Sequence, residues 1–197
     1  MTKFHMRPND QGRWGTDPEN YQHKHYANGV AHAHTRRTAI DCGAHVGIFT
    51  RRFARDFNRV VAVEPINGDY LELNTAHLTN VTRVNAALSN REGSQWLDTH
   101  NHRASGDWSV VDYPTDWPCA VTTIDSLNAR EVDYIKVDTQ GLEREVLEGG
   151  ANTIAEWRPV LHVETRDKGL LAWIEREFGY AWASVYIKDH ILLPREK

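Results

Sequence analysis

Short buried strands that alternate with amphipathic helices are the feature that most constrains the fold of this chain. Apolar runs of strand length occupy residues 39–42, 59–64, 81–88, 132–138 and 159–164. Apolar residues at helical spacing follow most of these runs, as with Ile48, Phe49, Phe53 and Phe57 after the first. This alternation is typical of βα units, which build a parallel sheet with helices on both faces. The 197 residues suffice for one such domain.

Three segments depart from the alternation. Residues 1–37 are rich in Asn, Asp, Gly, Pro and His, so we expect an N-terminal extension or lid on a domain at 38–197. Turn formers at 89–120 predict loops and short antiparallel strands, and residues 181–193 predict a closing hairpin. The extension carries His23, His25, His32 and His34. Their spacing fits no standard site, so a polar segment is favoured over a metal centre and no metal is predicted.

Composition excludes several classes of protein. A net charge of −4 and a pI near 6.2 argue against affinity based on phosphate neutralisation, so nucleic acid is not the expected partner. No run approaches the length of a membrane span, and the N-terminus lacks the apolar stretch of a signal peptide. The two cysteines, Cys42 and Cys119, form no disulfide framework, which favours a reducing, cytoplasmic setting.

Acidic residues stand at the carboxyl ends of four predicted strands. They are Asp41, Glu64, Asp138 and Glu164. In an open parallel sheet, ligands bind at the carboxyl ends of the strands. Four such carboxylates in successive βα units therefore predict a functional site at this edge.

The turn after the first strand indicates which ligand the site would take. It reads Asp-Cys-Gly-Ala-His-Val-Gly over residues 41–47, without the Gly-x-Gly-x-x-Gly of a dinucleotide site. An anionic pyrophosphate would gain little beside Asp41, whereas a ligand with an amine and a sulfonium would gain more. Glu64 could accept hydrogen bonds from both ribose hydroxyls of that ligand. The pattern suits S-adenosylmethionine, and a turn needed only for packing is the alternative.

Several segments resemble one known family. The segments are residues 40–47, 63–65, 84–89, 133–143, 146–150 and 163–164. Their order and spacing are similar to those of the FkbM family of S-adenosylmethionine-dependent methyltransferases. The resemblance covers roughly 38 to 165. It implies the class I methyltransferase fold, a three-layer, Rossmann-like α/β architecture with a mostly parallel seven-stranded sheet and an antiparallel C-terminal strand. Gln140 departs from the family, which usually has an acidic residue there.

The resemblance also implies roles for individual residues. Asp41, Gly43, His45 and Gly47 would form the cofactor loop, Glu64 would hold the ribose, and Ile66, Ala86 and Ala87 would enclose the adenine. Asp138 would lie near the methyl group or the acceptor. The family methylates hydroxyl groups of sugars and natural products, which implies a small-molecule or glycan acceptor.

An alcohol acceptor benefits from a general base, and the strand-end carboxylates Asp138 and Glu164 are the predicted catalytic residues. His162 reads as a core histidine, while His100 and His102 are weaker candidates in a variable loop. Two other functions stay open. One is a cofactor-binding partner without catalysis, and the other is a nicotinamide-dependent oxidoreductase.

Overall fold

A mixed sheet with helices on both faces organises the structure, a computed structural model that describes residues 4–7, 20–98 and 109–196. In chain order the elements are α1 (His23–Val30), β1 (Thr38–Cys42), α2 (Ile48–Asp56), β2 (Arg59–Val63), α3 (Gly68–Thr75), β3 (Val81–Val84), β4 (Ala87–Leu88), β5 (Gly93–Asp98), β6 (Ser109–Val111), β7 (Pro118–Thr122), β8 (Val132–Val137), α4 (Glu143–Glu148), α5 (Ala151–Trp157), β9 (Val160–Glu164), α6 (Lys168–Phe178), β10 (Tyr180–Tyr186) and β11 (Asp189–Pro194). A single 3₁₀ turn, Asp125–Leu127, precedes β8.

The central sheet has seven strands in the order β10-β11-β9-β8-β1-β2-β3. Strands β9, β8, β1, β2 and β3 run parallel, while β11 is antiparallel to both of its neighbours, β9 and β10. The predicted class I methyltransferase fold, mostly parallel with an antiparallel C-terminal strand, is confirmed. The carboxyl ends of β1, β2, β8 and β9 therefore meet at one edge.

The two faces of the sheet bury two separate cores, because side chains alternate along each strand. Ala39 of β1 packs in the core beneath α1, α2 and α3, with Phe49, Phe53 and Leu71. The other core lies against α4, α5 and α6 and receives the intervening strand residues, such as Ile40. A helix layer on each face of the sheet gives the three layers expected from the sequence.

A second, smaller sheet covers one end of the site. Its order is β4-β7-β5-β6, and it contains the short antiparallel strands expected between 89 and 120. The prediction of one strand over 81–88 was wrong. Residues 81–84 pair with β2 as β3, whereas Ala87 and Leu88 leave the central sheet and pair with β7 as β4. The chain changes partner here because β2 ends at Val63, which pairs with Val84.

Helix α4 ends at Gly149, and a second helix, α5, begins at once. A Cβ on Gly149 would lie 2.1 Å from the backbone oxygen of Ser89, so the close approach of that segment requires glycine. Gly150 then occupies the N-cap of α5, which the sequence analysis did not predict. Asn67 occupies the N-cap of α3 without capping it through its side chain, and its Oδ1 accepts from Arg7 Nε at 2.6 Å.

Helix α1 lies within the segment predicted as an extension or lid. It buries Tyr26 and Val30 in the core beneath α2. Tyr26 also donates its hydroxyl hydrogen bond to Asp56 Oδ2 at 2.5 Å. The division of the chain at residue 37 stays a prediction.

Two absences hold for the described ranges. Within residues 4–7, 20–98 and 109–196, no group of three His, Cys, Asp or Glu side chains is arranged to hold a metal ion. In the same ranges, no helix has the length and apolar character needed to cross a bilayer. His100 and His102, named above as weaker base candidates, lie outside the described residues.

Candidate active site

A cavity opens at the carboxyl ends of β1, β2, β8 and β9. Every predicted site residue except Gly47 lines it, namely Asp41, Gly43, His45, Glu64, Ile66, Ala86, Ala87, Asp138 and Glu164. The strand order explains this gathering, since β2, β1, β8 and β9 are neighbours and end at the same edge.

Asp41 is the most buried carboxylate of the cavity, with no exposed surface. Its Oδ2 accepts from Thr50 Oγ1 at 2.7 Å. Its Oδ1 has no hydrogen-bond partner among the described residues. Burial raises the pKa of Asp41, and the Lys136 ammonium and the Thr50 hydroxyl oppose that rise. A buried acceptor left unpaired is costly, so Oδ1 is suited to a ligand's donor.

The two glycines of the loop have different roles. Gly43 has φ +79°, and a Cβ there would lie 2.0 Å from the backbone oxygen of Asp138, so only glycine lets the loops after β1 and β8 approach. Gly47 has φ +91° and faces α3, where a Cβ would lie 3.1 Å from both Leu71 and Thr75. Gly47 therefore serves helix packing and does not line the cavity.

Glu64 ties the two loops beside it together. Its Oε2 accepts from the backbone N–H of His45 at 2.8 Å. Its Oε1 accepts from the backbone N–H groups of Ile66 at 2.8 Å and Asn67 at 3.0 Å. A carboxylate has about four acceptor positions, so roughly one remains for a ligand. Binding both ribose hydroxyls would require one of these backbone bonds to be released.

The other end of the cavity is apolar. Ile66, Ala86, Ala87 and Val110 line it, and the small sheet supplies Val110. Ile66 packs against the buried cluster around Ala87. These small and branched apolar side chains offer a surface suited to a flat ring.

Asp138 is held by two donors in the folded chain. Lys136 Nζ lies 3.2 Å from its Oδ2, and Gln140 Nε2 donates to its Oδ1 at 3.1 Å. The amide of Gln140 thus orients Asp138, whereas an acidic side chain at this position would place a second negative charge beside it. The Asp138 side chain is 20% exposed, so it is open to the cavity.

Glu164 is a largely buried carboxyl group at the end of β9. Burial, followed by the nearby charge of Asp138, raises the pKa of Glu164 to about 7, against the opposing effects of Lys188 and Lys136. Lys188 contacts the carboxylate from the hairpin turn between β10 and β11. A carboxyl group with a pKa near the working pH is well matched to proton transfer.

His162 belongs to a buried network beneath the site. Its Nδ1 lies 2.8 Å from the Tyr134 hydroxyl and its Nε2 2.7 Å from Asp189 Oδ1. His25 of α1 contacts the other oxygen of Asp189. Burial lowers the pKa of His162, although Asp189 opposes this effect. His162 does not line the cavity, which agrees with the core role expected for it.

Several lining residues were missed by the sequence analysis. They are Tyr21, Gln22, Phe49, Val110, Lys136 and Lys188. Lys136 gave the clearest signal, because a lysine inside an otherwise apolar strand needs a reason to be buried. Tyr21 and Gln22 gave none, because only the fold brings the N-terminal segment to the cavity.

Solved structures share this fold at low sequence identity. A methyltransferase FkbM from Methylobacillus flagellatus has a TM-score of 0.59 at 19% identity, covering 89% of this chain and 50% of that one. Precorrin-6y C5,15-methyltransferase from Geobacter metallireducens has a TM-score of 0.51 at 12% identity, covering 92% and 91%. The 1,6-didemethyltoxoflavin-N1-methyltransferase of Burkholderia thailandensis, crystallised with S-adenosylhomocysteine, has a TM-score of 0.51 at 13% identity, covering 89% and 76%.

The present chain spans half the length of the Methylobacillus protein. A comparison with curated proteins gave no match. The sequence pattern of the methyltransferase FkbM domain matches residues 41–181, which contain every predicted site residue. That family uses S-adenosylmethionine as its methyl donor. With more than half of its length matched, this chain belongs to the FkbM methyltransferase family.

Proposed function

We propose that this chain binds S-adenosylmethionine in the cavity and transfers its methyl group to a hydroxyl of a small acceptor, either a sugar or another natural product. The observation that carries the proposal is the buried Oδ1 of Asp41, which has no hydrogen-bond partner among the described residues and belongs to a residue that lines the cavity beside a glycine loop. Family membership supplies the reaction class.

The donor set of the cavity fits this cofactor. Its amino group can donate to Asp41 Oδ1, because an ammonium satisfies both the charge and the missing hydrogen bond. One ribose hydroxyl can donate to the remaining position of Glu64, and the adenine can lie against the apolar lining of Ile66, Ala86 and Ala87. A dinucleotide fits less well, since its pyrophosphate would meet the carboxylate of Asp41.

Bound S-adenosylmethionine supplies an electrophilic methyl group on a sulfonium. Glu164 is proposed to take the proton from the acceptor hydroxyl onto a carboxylate oxygen, and Asp138 to orient that hydroxyl. A general base typically contributes ~10²–10⁴-fold to the rate. Holding the two reactants in line can contribute ~7–11 kcal/mol, so orientation by the cavity lowers the barrier more than the base does.

The N-terminal segment is proposed to close the site. Tyr21 and Gln22, which precede α1, line the cavity together with residues of the 38–197 domain. Arg52 Nη2 donates to the backbone oxygen of Tyr21 at 2.5 Å and holds this turn near α2. This placement supports a lid role for residues 1–37.

The buried free thiols of Cys42 and Cys119 suit the reducing cytoplasm, which is the proposed location.

Turnover with a panel of hydroxylated acceptors tests the proposal. Formation of S-adenosylhomocysteine that depends on acceptor, and that falls at least ~100-fold in Glu164→Gln, is expected. Cofactor binding without turnover on any hydroxylated acceptor would favour a non-catalytic partner protein. Turnover on amine acceptors alone would overturn the hydroxyl assignment.

A further inference from the structure

Lys136 is a buried cation in the middle of the sheet. It belongs to β8, whose residues are all buried, and its side chain is only 4% exposed. In register, it pairs with Asp41 of β1 on one side and His162 of β9 on the other. The ring of Phe49 covers it from α2, with Nζ 4.8 Å from the ring centroid.

Packing alone gives no reason for a lysine at this position. Burying an ammonium costs free energy that must be recovered from nearby charges. Replacing a buried ion pair by apolar side chains is often neutral or stabilising, so stability does not favour the lysine. Lys136 is also one of the residues that line the ligand cavity.

The carboxylates around the cavity explain the lysine. Four of them line the cavity, and Lys136 and Lys188 are the lysines that line it with them. The Lys188 side chain is 38% exposed and contacts Glu164 at the rim, so Lys136 is the deeper of the two cations. Burial tends to lower the pKa of Lys136, but the surrounding carboxylates outweigh burial and raise it. Lys136 therefore stays charged.

We propose that Lys136 is a positioning residue whose ammonium holds the Asp138 carboxylate at 3.2 Å and favours the ionised form of neighbouring Asp41, so that Glu164 is the cavity carboxyl group whose proton exchanges during the reaction. The inference rests on the proposed function. Ionised Asp41 can then accept a hydrogen bond from the cofactor amine, and Asp138, held in place by Lys136, can accept one from the acceptor hydroxyl, while Glu164 alternates between its two forms.

Several charged groups act on this set. Those that influence Glu164 or Lys136 are Asp138 directly after β8, Asp41 on β1, Lys188 in the hairpin turn and Asp189 on β11, while Lys136 in turn acts on His162 of β9. Lys136 is the member of this set that opposes protonation of both Asp41 and Glu164. Its removal should therefore shift both carboxyl groups towards their protonated forms.

A pH titration of the glutamate carboxyls followed by carbon-13 NMR tests the role of Lys136 without requiring activity. The Glu164 signal is assigned as the one missing from Glu164→Gln. Lys136→Met should raise the titration midpoint of Glu164 by about 1 pH unit or more, as expected for loss of a nearby opposite charge. Lys136→Arg should restore most of the change, and Lys168→Met, on the exposed start of α6, should leave the midpoint unchanged. The pH profile of methyl transfer should move to higher pH by the same amount in Lys136→Met, with activity recovering at alkaline pH.

An unchanged Glu164 midpoint in folded Lys136→Met would overturn the inference. If that variant does not fold, nitrogen-15 NMR of the Lys136 amine in the unaltered protein decides. An ammonium retained above about pH 10, near the usual lysine pKa, supports the inference, and loss of the proton below about pH 9 overturns it. Calorimetry with S-adenosylhomocysteine separates the two proposals. If S-adenosylhomocysteine binds but the Glu164 titration midpoint does not move in Lys136→Met, only the role of Lys136 is refuted. If the midpoint moves but S-adenosylhomocysteine does not bind the unaltered protein, only the proposed function is refuted.

Discussion

Replacing Asp41 by asparagine removes one negative charge from the cofactor loop while keeping the side chain's shape. Its Oδ1 is buried and unpartnered among the described residues, so the proposed bond to the cofactor ammonium is charge-assisted. Such a bond contributes about 1.5–3 kcal/mol. At about 1.4 kcal/mol per tenfold change, S-adenosylhomocysteine should bind about 10- to 100-fold more weakly to Asp41→Asn.

The same change should not weaken the apo fold. Burial raises the pKa of Asp41, so the folded chain holds its proton to higher pH than the unfolded chain does. The free energy of unfolding therefore falls as the pH rises through that pKa, and the asparagine variant avoids this loss. At pH 7 to 8, we expect Asp41→Asn to unfold close to the temperature of the parent, because the variant also loses one of the charges that compensate the buried Lys136 ammonium.

Isothermal calorimetry and thermal unfolding measure the two effects. Glu72→Gln is a matched control, since it removes one carboxylate that is 56% exposed and pairs with Arg83. The control should bind S-adenosylhomocysteine as the parent does. A folded Asp41→Asn protein that binds within about twofold of the parent would refute the placement of the cofactor amine at Asp41.

Three further changes test other parts of the site. Gly43→Ala should destabilise the chain by about 2 kcal/mol or more in denaturant unfolding, because a strained φ adds to a clash with Asp138. Gly179→Ala is the control, because Gly179 also has a positive φ of +64° but no close contact, and it should lower the free energy of unfolding by only about 1–2 kcal/mol. Equal losses of stability in the two variants would refute the clash at Gly43. Glu64→Ala should weaken cofactor binding at least about tenfold in calorimetry, because it removes the ribose acceptor and leaves the backbone N–H groups of both loops without their carboxylate. Unchanged binding would exclude Glu64 from the site. The methyl-transfer rate should rise as the pH increases through about 7, because Glu164 loses its proton there. A rate that does not change over this pH range would exclude Glu164 as the base.

The sequence predicted the central sheet well because its strands are buried on both faces and read as continuous apolar runs. The limits of the third run were wrong for the same reason. Residues 81–88 look continuous, but the choice between β2 and β7 as partner depends on residues far along the chain. Helix α1 was missed because a few long-range contacts hold it. A Cβ on Gly29 would lie 2.0 Å from the Tyr134 hydroxyl, which shows how closely this weakly apolar helix packs on the sheet.

The acidic part of the site was predictable because strand ends of a parallel sheet share one edge. Asp41, Glu64, Asp138 and Glu164 all line the cavity. Lys136 could be placed only with the fold, because its charge is balanced by carboxylates from neighbouring strands.

Calorimetric titration of the unaltered protein with S-adenosylhomocysteine, with NAD as the control ligand, tests the proposed cofactor site most directly. A dissociation constant in the micromolar range for the first ligand and no heat of binding for the second are expected from the carboxylates of Asp41 and Glu64. Binding of NAD would assign the loop to a dinucleotide. Absence of binding by either ligand would contradict the assignment of this cavity as a cofactor site.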